Sequence, residues 1–218
     1  CLDAETYRDG GGTVAEVTQH RVGIHSRSAM AGVANIGDVV NWTGSDMAQA
    51  NWYAFGRLCW NTELSAAQIA EEFLKQTFSA DEHFVEPVRQ LLLRSWDTAV
   101  SYMMPLGLHH IFSFGHHYGP EPWCAPPNTR LDWLPKYYHR ADSIGIGFDR
   151  TVRGSKAVLQ YHEPLATFYG DLETCPEDYL LWFHHVPWGY VMRNGLTLWD
   201  NLCYIYNDGA EEAREFVD

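Results

Sequence analysis

The sequence lacks a long apolar run, has few basic residues and contains no paired cysteine motif. A membrane-spanning helix needs about 20 predominantly apolar residues, and no stretch of the 218 residues approaches that length. Lysine and arginine total 15 against 28 aspartates and glutamates, which gives a formal net charge of −13. This charge repels phosphate backbones and anionic lipids, so neither a nucleic-acid partner nor a membrane is expected.

The cysteines are odd in number, widely spaced and free of any CxxC pair. They are Cys1, Cys59, Cys124, Cys175 and Cys203. This spacing does not predict a zinc ribbon or a redox site, and it favours free thiols in a reducing compartment. We therefore expect a cytoplasmic protein, with secretion as the alternative because Asn41-Trp42-Thr43 is a glycosylation triplet. Since the chain begins with cysteine, we also expect it to be part of a longer polypeptide.

Motifs for nucleophilic, dinucleotide or metal chemistry are also missing. The sequence contains no G-x-S-x-G, and no G-x-G-x-x-G follows a strand-like segment. Three histidine pairs, at 109–110, 116–117 and 184–185, lack the i, i+4 spacing that a helical zinc site uses. We predict no metal and no cofactor. The carboxylates show no pairing from which a catalytic acid and base can be assigned.

The sequence is rich in aromatic residues, at 14%, and its hydrophobic patterns before and after residue 60 differ. An apolar run at 29–37, a polar loop and a helical pattern at 47–60 predict one βα unit. Beyond residue 60 the patterns are helical: Ser65 and Gln68 have capping-box spacing, and a second helix is predicted at about 84–104 with Pro87 in its first turn. Shorter helices are predicted at 135–145, 155–170, 176–185 and 196–206, and a further helix begins in the tail.

Several long segments resemble one family. They are "AGVANIG", "NWTG", "AQANWYAFGRLCWN", "LSAAQIAEEF", "YMMPLGLHHIFSFGHHYGPEPW", "YYHRADSIGIGFDRT" and "LLWFHHVPWGY". In this order they are similar to the C-terminal part of glycoside hydrolase family 67 α-glucuronidases, and closer to the bacterial branch than to the fungal one. The resemblance implies a mainly α chain with a small α/β part. Residues 1–60 would end a (β/α)₈ barrel, with its last strand at Ala29–Gly37 and its last helix at about Asp46–Trp60. Residues 61–218 would form a C-terminal helical domain, truncated at its end.

The resemblance also implies a reaction. Family members remove 4-O-methyl-α-D-glucuronic acid from xylooligosaccharides with inversion: a glutamate protonates the leaving oxygen, and a carboxylate pair activates water. The acid and the base lie roughly 6.5–9.5 Å apart, which leaves room for that water. The matching carboxylates would lie upstream of Cys1, so we assign no catalytic residue here, and we expect the chain alone to be inactive. It would supply pocket wall and a homodimer surface. The alternative is a non-catalytic dimerisation or carbohydrate-binding module.

Substrate-binding candidates follow from the same resemblance. "HHYGPEPW" makes Trp123 the match for an aromatic residue that contacts the uronic acid, although Trp123 alternatively only packs its loop. The neighbouring candidates for substrate contact or for its support are His116, His117, Tyr118, Tyr138, His139 and Arg140. Asn41 and Trp42 lie in the loop after the predicted barrel strand.

Overall fold

Helices dominate the computed structural model of the chain, which describes residues 2, 12–19, 21, 31–33, 40–41, 45–109, 112–114 and 121–216. The α-helices are α1 Val14–Thr18, α2 Gln49–Trp60, α3 Ala66–Thr77, α4 Glu82–Met103, α5 Pro135–His139, α6 Leu165–Gly170, α7 Leu180–Phe183 and α8 Leu198–Glu215. Short 3₁₀ turns lie at Pro105–Gly107, Leu131–Trp133, Ala157–Gln160 and Glu177–Tyr179. Two two-residue strands, β1 Gly145–Ile146 and β2 Val186–Pro187, pair antiparallel.

The chain divides into two compact units, residues 1–94 and residues 95–218. The division falls within α4. The predicted domain boundary at residue 60 therefore stays a prediction. No helix among the described residues is long and apolar enough to cross a membrane.

The first unit is organised by α2 and α3, which pack against each other. The capping box is confirmed: the Ser65 hydroxyl accepts from the backbone N–H of Gln68, and the Gln68 side chain accepts from the N–H of Ser65. Ile69, Phe73 and Leu74 are buried along α3. Phe73 and Leu74 form a core cluster with Val85 of α4. Ile69 and Phe73, four residues apart, lie on one face of α3.

α4 differs slightly from its prediction. It begins at Glu82, so Pro87 lies inside the helix and not in its first turn. The reason is Asp81, whose carboxylate accepts from the N–H of His83 and whose carbonyl accepts from the N–H of Val85. This residue starts the helix before the sequence pattern of apolar residues begins.

Of the predicted barrel strand at 29–37, the structure describes only 31–33. These residues are exposed and have no regular secondary structure, and Val33 is 94% exposed. The other residues of that segment lie outside the described part of the chain. The predicted helix that follows it is confirmed as α2, starting at Gln49.

The second unit is mostly irregular. The helices predicted at 155–170 and 176–185 are each broken into a 3₁₀ turn and a short helix. Pro164 interrupts the first because proline has no N–H to donate, and the second starts after Pro176 as a 3₁₀ turn. Conversely, the helix predicted at 196–206 and the tail helix are one, α8, which runs through Gly209. A Cβ at Gly209 would lie 2.6 Å from the backbone N of Tyr102, so glycine permits close approach to α4.

The core of the second unit lies around β2, α7 and the start of α8. Its buried members are Leu108, Ile146, Leu180, Leu181, Val186, Met192, Leu198 and Leu202. A smaller cluster contains Val158, Cys175 and Phe183. These apolar groups surround the segment 145–150, whose backbone is bonded to α5 and α7.

Candidate functional site

Backbone hydrogen bonds fix the segment that carries the candidate residues 138–140. The N–H of Gly147 donates to the carbonyl of His139 at 2.7 Å, which ties β1 to the end of α5. The N–H groups of Phe148 and Arg150 donate to the carbonyls of Leu181 and Phe183, so the same segment is bonded to α7. Helix α5 is limited to five residues. Pro135 occupies its first position, and Arg140, directly after its last residue, has a left-handed conformation.

Trp123 lies in a tight turn between half-buried Pro122 and buried Cys124. The N–H of Cys124 donates to the carbonyl of Glu121 at 2.9 Å and closes the turn. The Cys124 side chain is buried, and its sulfur accepts from the N–H of Phe114 at 3.1 Å. The indole of Trp123, in contrast, is 76% exposed and forms no ring pair with any described residue. The turn therefore presents a large apolar ring to its surroundings.

His139 contacts this turn directly. Its Nε2 lies 3.0 Å from the carbonyl oxygen of Pro122, and its Nδ1 accepts from the N–H of Ala141 at 3.0 Å. Because Nδ1 accepts, Nε2 must carry the hydrogen and donate to Pro122. Burial lowers the pKa of His139 below its ordinary value, so the neutral imidazole is favoured. Both ring nitrogens are thus engaged with the backbone.

Tyr138 lies in a group of aromatic rings. Its ring meets His109 edge-on at 5.4 Å between centroids, and His109 meets Trp182 edge-on at 5.1 Å. On the other side Tyr138 contacts Tyr137 at 4.9 Å. Edge-to-face contacts of this kind add to the burial of the rings, so α5, α7 and the segment at 109 hold one another.

Two arginines complete the aromatic group. Arg140 is exposed; its Nε donates to the carbonyl of Tyr137, and its guanidinium lies 5.0 Å from the Phe148 ring centroid. Arg150 is half-buried, with its guanidinium 3.7 Å from the Trp182 ring centroid and 4.5 Å from that of Phe148. Its Nη1 also donates to the Trp182 carbonyl. Burial lowers the pKa of Arg150 from its ordinary value.

A cavity of about 780 Å³ lies beside these rings, within the second unit. Its aromatic lining includes Trp96, His109, Tyr161, Tyr169, Tyr179, Trp182 and Phe183. Sequence reasoning missed Arg150 and Trp182 as organising residues. The aromatic content of "LLWFHH" was a signal for Trp182, whereas nothing local to Arg150 indicates that it stacks on a ring 32 residues away.

The remaining candidates are not brought together with Trp123 in the described residues. Asn41 donates from its amide nitrogen to the carboxylate of Asp46 at 2.7 Å. Trp42, His116, His117 and Tyr118 lie outside the described residues.

The third histidine pair has structural contacts. Nε2 of His184 donates to the carbonyl of Tyr169 at 2.8 Å, and Nδ1 of His185 donates to that of Gly147 at 2.9 Å. Within the described ranges, no three histidine, cysteine or acidic side chains cluster in a way that suits a metal ion.

Among the described residues, the carboxylates with a shifted pKa are all shifted downward. The Arg57 guanidinium lowers the pKa of Glu72, and the Gln90 amide lowers that of Glu86. The Arg130 guanidinium lowers the pKa of Asp132, and the backbone N–H of Gly145 lowers that of Asp142. A glycosidase acid needs the opposite shift, because it must hold its proton near neutral pH. None of these four has the environment of a general acid.

Comparison with known proteins bears on the same residues. The model of the family described as "Glycosyl hydrolase family 67 C-terminus" matches residues 43–218, which include the Trp123 turn and the aromatic group. The chain belongs to glycosyl hydrolase family 67. The resemblance stated from the sequence is thereby confirmed.

Relatives in family 67 carry one activity in their names. "Probable alpha-glucuronidase A" of Aspergillus niger is 35% identical over 189 residues, covering 86% of this chain and 22% of that relative. "Alpha-glucuronidase A" of Emericella nidulans is 32% identical over 219 residues, covering 99% of this chain and 25% of that relative. The chain thus spans about a quarter of the length of these relatives. Both are fungal, and the expected bacterial character of the sequence stays a prediction.

Proposed function

We propose that this chain is the C-terminal part of an α-glucuronidase, an inverting glycoside hydrolase that releases 4-O-methyl-α-D-glucuronic acid from xylooligosaccharides. The match to family 67 over residues 43–218 carries the proposal. The catalytic carboxylates are assigned to polypeptide that is not in this chain. In agreement, the four described carboxylates with a shifted pKa are better stabilised as anions than an acid catalyst would be.

Within that enzyme we assign Trp123 to the wall of the uronic acid pocket. The exposed indole beside buried Cys124 supports this role, since a flat apolar ring is suited to the apolar face and methyl ether of the sugar. Such a contact also keeps water away from the acid site. Tyr138 lies on α5 and Arg140 directly follows its last residue. Both are proposed for substrate contact or for its support, as are His116, His117 and Tyr118, and Asn41 and Trp42 stay candidates for substrate contact.

The experiment is Trp123→Ala in the full-length enzyme, with a xylooligosaccharide that carries 4-O-methylglucuronic acid as substrate. We expect KM to rise about tenfold, because an aromatic contact of this kind contributes roughly 1.5 kcal/mol or less to binding in both ground and transition states. Trp60→Ala is the matched control, since Trp60 is an 88% exposed tryptophan outside the proposed pocket. Unchanged KM in Trp123→Ala would remove Trp123 from the pocket.

The partner that we propose for the helical part is a second copy of the chain. Large apolar side chains stand exposed around the start of α8, with Val191 at 61%, Trp199 at 56% and Tyr204 at 67% exposure. Exposed apolar groups in one region mark interaction surfaces more often than isolated ones do.

This surface gives a test that separates pocket from interface. Light scattering should show that Tyr204→Glu dissociates the dimer, while each folded site keeps its KM. Trp123→Ala should change KM and leave the dimer intact. If Trp123→Ala instead dissociates the dimer and leaves turnover per site normal, the alternative of a dimerisation module is favoured. Binding of xylooligosaccharides by the chain alone, measured by calorimetry, would favour a carbohydrate-binding module.

A further inference from the structure

One buried histidine holds the backbone beside the most exposed tryptophan of the second unit. His139 is 8% exposed, and its Nε2–H donates to the carbonyl of Pro122, the residue immediately before Trp123. Its Nδ1 accepts from the N–H of Ala141, just beyond the end of α5. The ring therefore links two segments that are 17 residues apart in sequence, the turn at 121–124 and the helix α5.

The indole does not hold itself in place. Trp123 is 76% exposed, so packing contributes little to the position of its ring. Among the described residues, the turn is held by backbone and flanking contacts: Cys124 N–H to the Glu121 carbonyl, Phe114 N–H to the Cys124 sulfur, the Ser113 hydroxyl against the same sulfur, and His139 to the Pro122 carbonyl. Among these contacts, the one from His139 is made by the side chain of a helix residue, and it reaches Pro122, directly before Trp123.

We propose that His139 is a positioning residue for Trp123, and that it acts through the bond from its Nε2–H to the carbonyl of Pro122. The inference rests on the proposed contact between Trp123 and the sugar. His139 does not itself touch substrate, because both of its ring nitrogens are engaged with backbone groups. It holds the turn so that the indole keeps one position before substrate arrives, which lowers the ordering cost of binding.

Two substitutions separate the bond to the turn from the bond to the helix end. The amide nitrogen of glutamine lies near the place of Nε2, so His139→Gln keeps a donor for Pro122 and loses the acceptor for Ala141. The amide oxygen of asparagine lies near the place of Nδ1, so His139→Asn keeps the acceptor and loses the donor. Each variant removes one hydrogen bond, and a purely structural histidine would respond to both alike.

Kinetics of the full-length enzyme, with the substrate named above, supply the readout. We expect His139→Asn to raise KM about fivefold, which corresponds to one lost hydrogen bond, with kcat per folded site retained. His139→Gln should keep the KM of the unchanged enzyme. A variant that is merely unstable lowers the apparent kcat with KM unaltered, because fewer molecules are folded. The double variant Trp123→Ala/His139→Asn should have the KM of Trp123→Ala alone, since the histidine acts only through the indole.

A second buried histidine provides the matched control. Nε2 of His184 also donates to a backbone carbonyl, that of Tyr169, but the Tyr169 ring is held by stacking on Phe183 at 4.7 Å. His184→Asn should lower the melting temperature and leave KM unchanged. A rise in KM equal to that of His139→Asn would overturn the proposal.

The outcomes separate this inference from the proposed function. If Trp123→Ala leaves KM unchanged, the pocket assignment fails. If Trp123→Ala raises KM and His139→Asn does not, or if the asparagine and glutamine variants raise it equally, the positioning role fails. Should His139→Asn not fold, His139→Gln decides alone: an unchanged KM together with a lowered melting temperature supports the proposal, and a raised KM overturns it.

Discussion

The helix pair α2–α3 and the irregular segment 135–187 are built in opposite ways. In the helix pair many of the stabilising contacts are close in sequence, such as the capping box at Ser65 and the ion pair of Lys75 with Glu71, and the Arg57–Glu72 ion pair joins the two helices. In the irregular segment the contacts join residues that are further apart in sequence, for instance the Arg150 guanidinium against Trp182 and the Phe148 N–H on the Leu181 carbonyl.

The difference indicates which part of the chain is suited to carry a binding site. A periodic helix places each side chain by its number in the helical repeat, so its exposed face follows from its buried face. From the irregular segment, the His139 side chain holds the backbone of the preceding turn at 121–124, in which Trp123 is exposed and Cys124 is buried. Exposed groups on rigidly held loops are the usual carriers of binding in folded scaffolds.

Glycine substitution tests this comparison with the largest effect. Gly147 has φ +106°, and a Cβ there would lie 2.1 Å from the carbonyl oxygen of His184. Gly56 lies in α2 with nothing within 4 Å of an added Cβ. We expect Gly147→Ala to lower the free energy of unfolding by about 3–5 kcal/mol, through strain and overlap. Gly56→Ala should raise it by about 1 kcal/mol, because alanine favours the helix.

Urea denaturation of the chain, followed by circular dichroism, measures both changes. Leu181→Ala serves as a size reference, because Leu181 is buried close to Gly147 and its loss leaves a cavity. If Gly147→Ala were tolerated as well as Gly56→Ala, the close approach of 145–150 to α7 would not hold the irregular segment together.

The two units should also respond to acid in different pH ranges. Burial lowers the pKa of His139 and of His184 below the ordinary 6.5, so the unfolded chain binds more protons than the folded one between that value and the lowered ones. Their contribution is complete above pH 6.5 and is lost as the pH falls through the folded-state values. In α3 the Arg57 guanidinium lowers the pKa of Glu72 from 4.5, so its contribution is lost only below that pH.

Melting temperatures measured from about pH 8 to pH 4 check this order of events, which follows from the two ordinary pKa values. The double variant His139→Gln/His184→Gln should flatten the profile between about pH 7 and pH 5, since glutamine does not titrate, while the fall below about pH 4.5 remains. An unchanged slope in the mildly acidic range would mean that neither histidine is held neutral by its burial.

The features that the sequence predicted are those that depend on neighbouring residues, as in the helix pair. The capping box and the helix at 47–60 followed from spacing alone, because a helix signals its start and its buried face locally. The β1–β2 pair and the bond from His139 to Pro122 did not, because each depends on a residue far away in sequence. The helices at 155–170 and 176–185 were predicted as continuous, although Pro164 and Pro176 are local signals for their interruption. Trp123 came from the family resemblance, and its exposure on a turn beside buried Cys124 came from the structure.

The smallest change in the free energy of unfolding is expected at the start of α3, where the stabilising contact is local. The Ser65 hydroxyl accepts from the N–H of Gln68, one of the helix N–H groups that has no partner within the helix. Ser65→Ala removes this acceptor and should lower the free energy of unfolding by about 1 kcal/mol. Ser65→Asp is the matched control, because its carboxylate also accepts at this position. Urea denaturation that gave equal losses for alanine and aspartate would show that the cap does not stabilise α3. The periodic burial of Phe73 and Leu74 would then suffice to hold the helix.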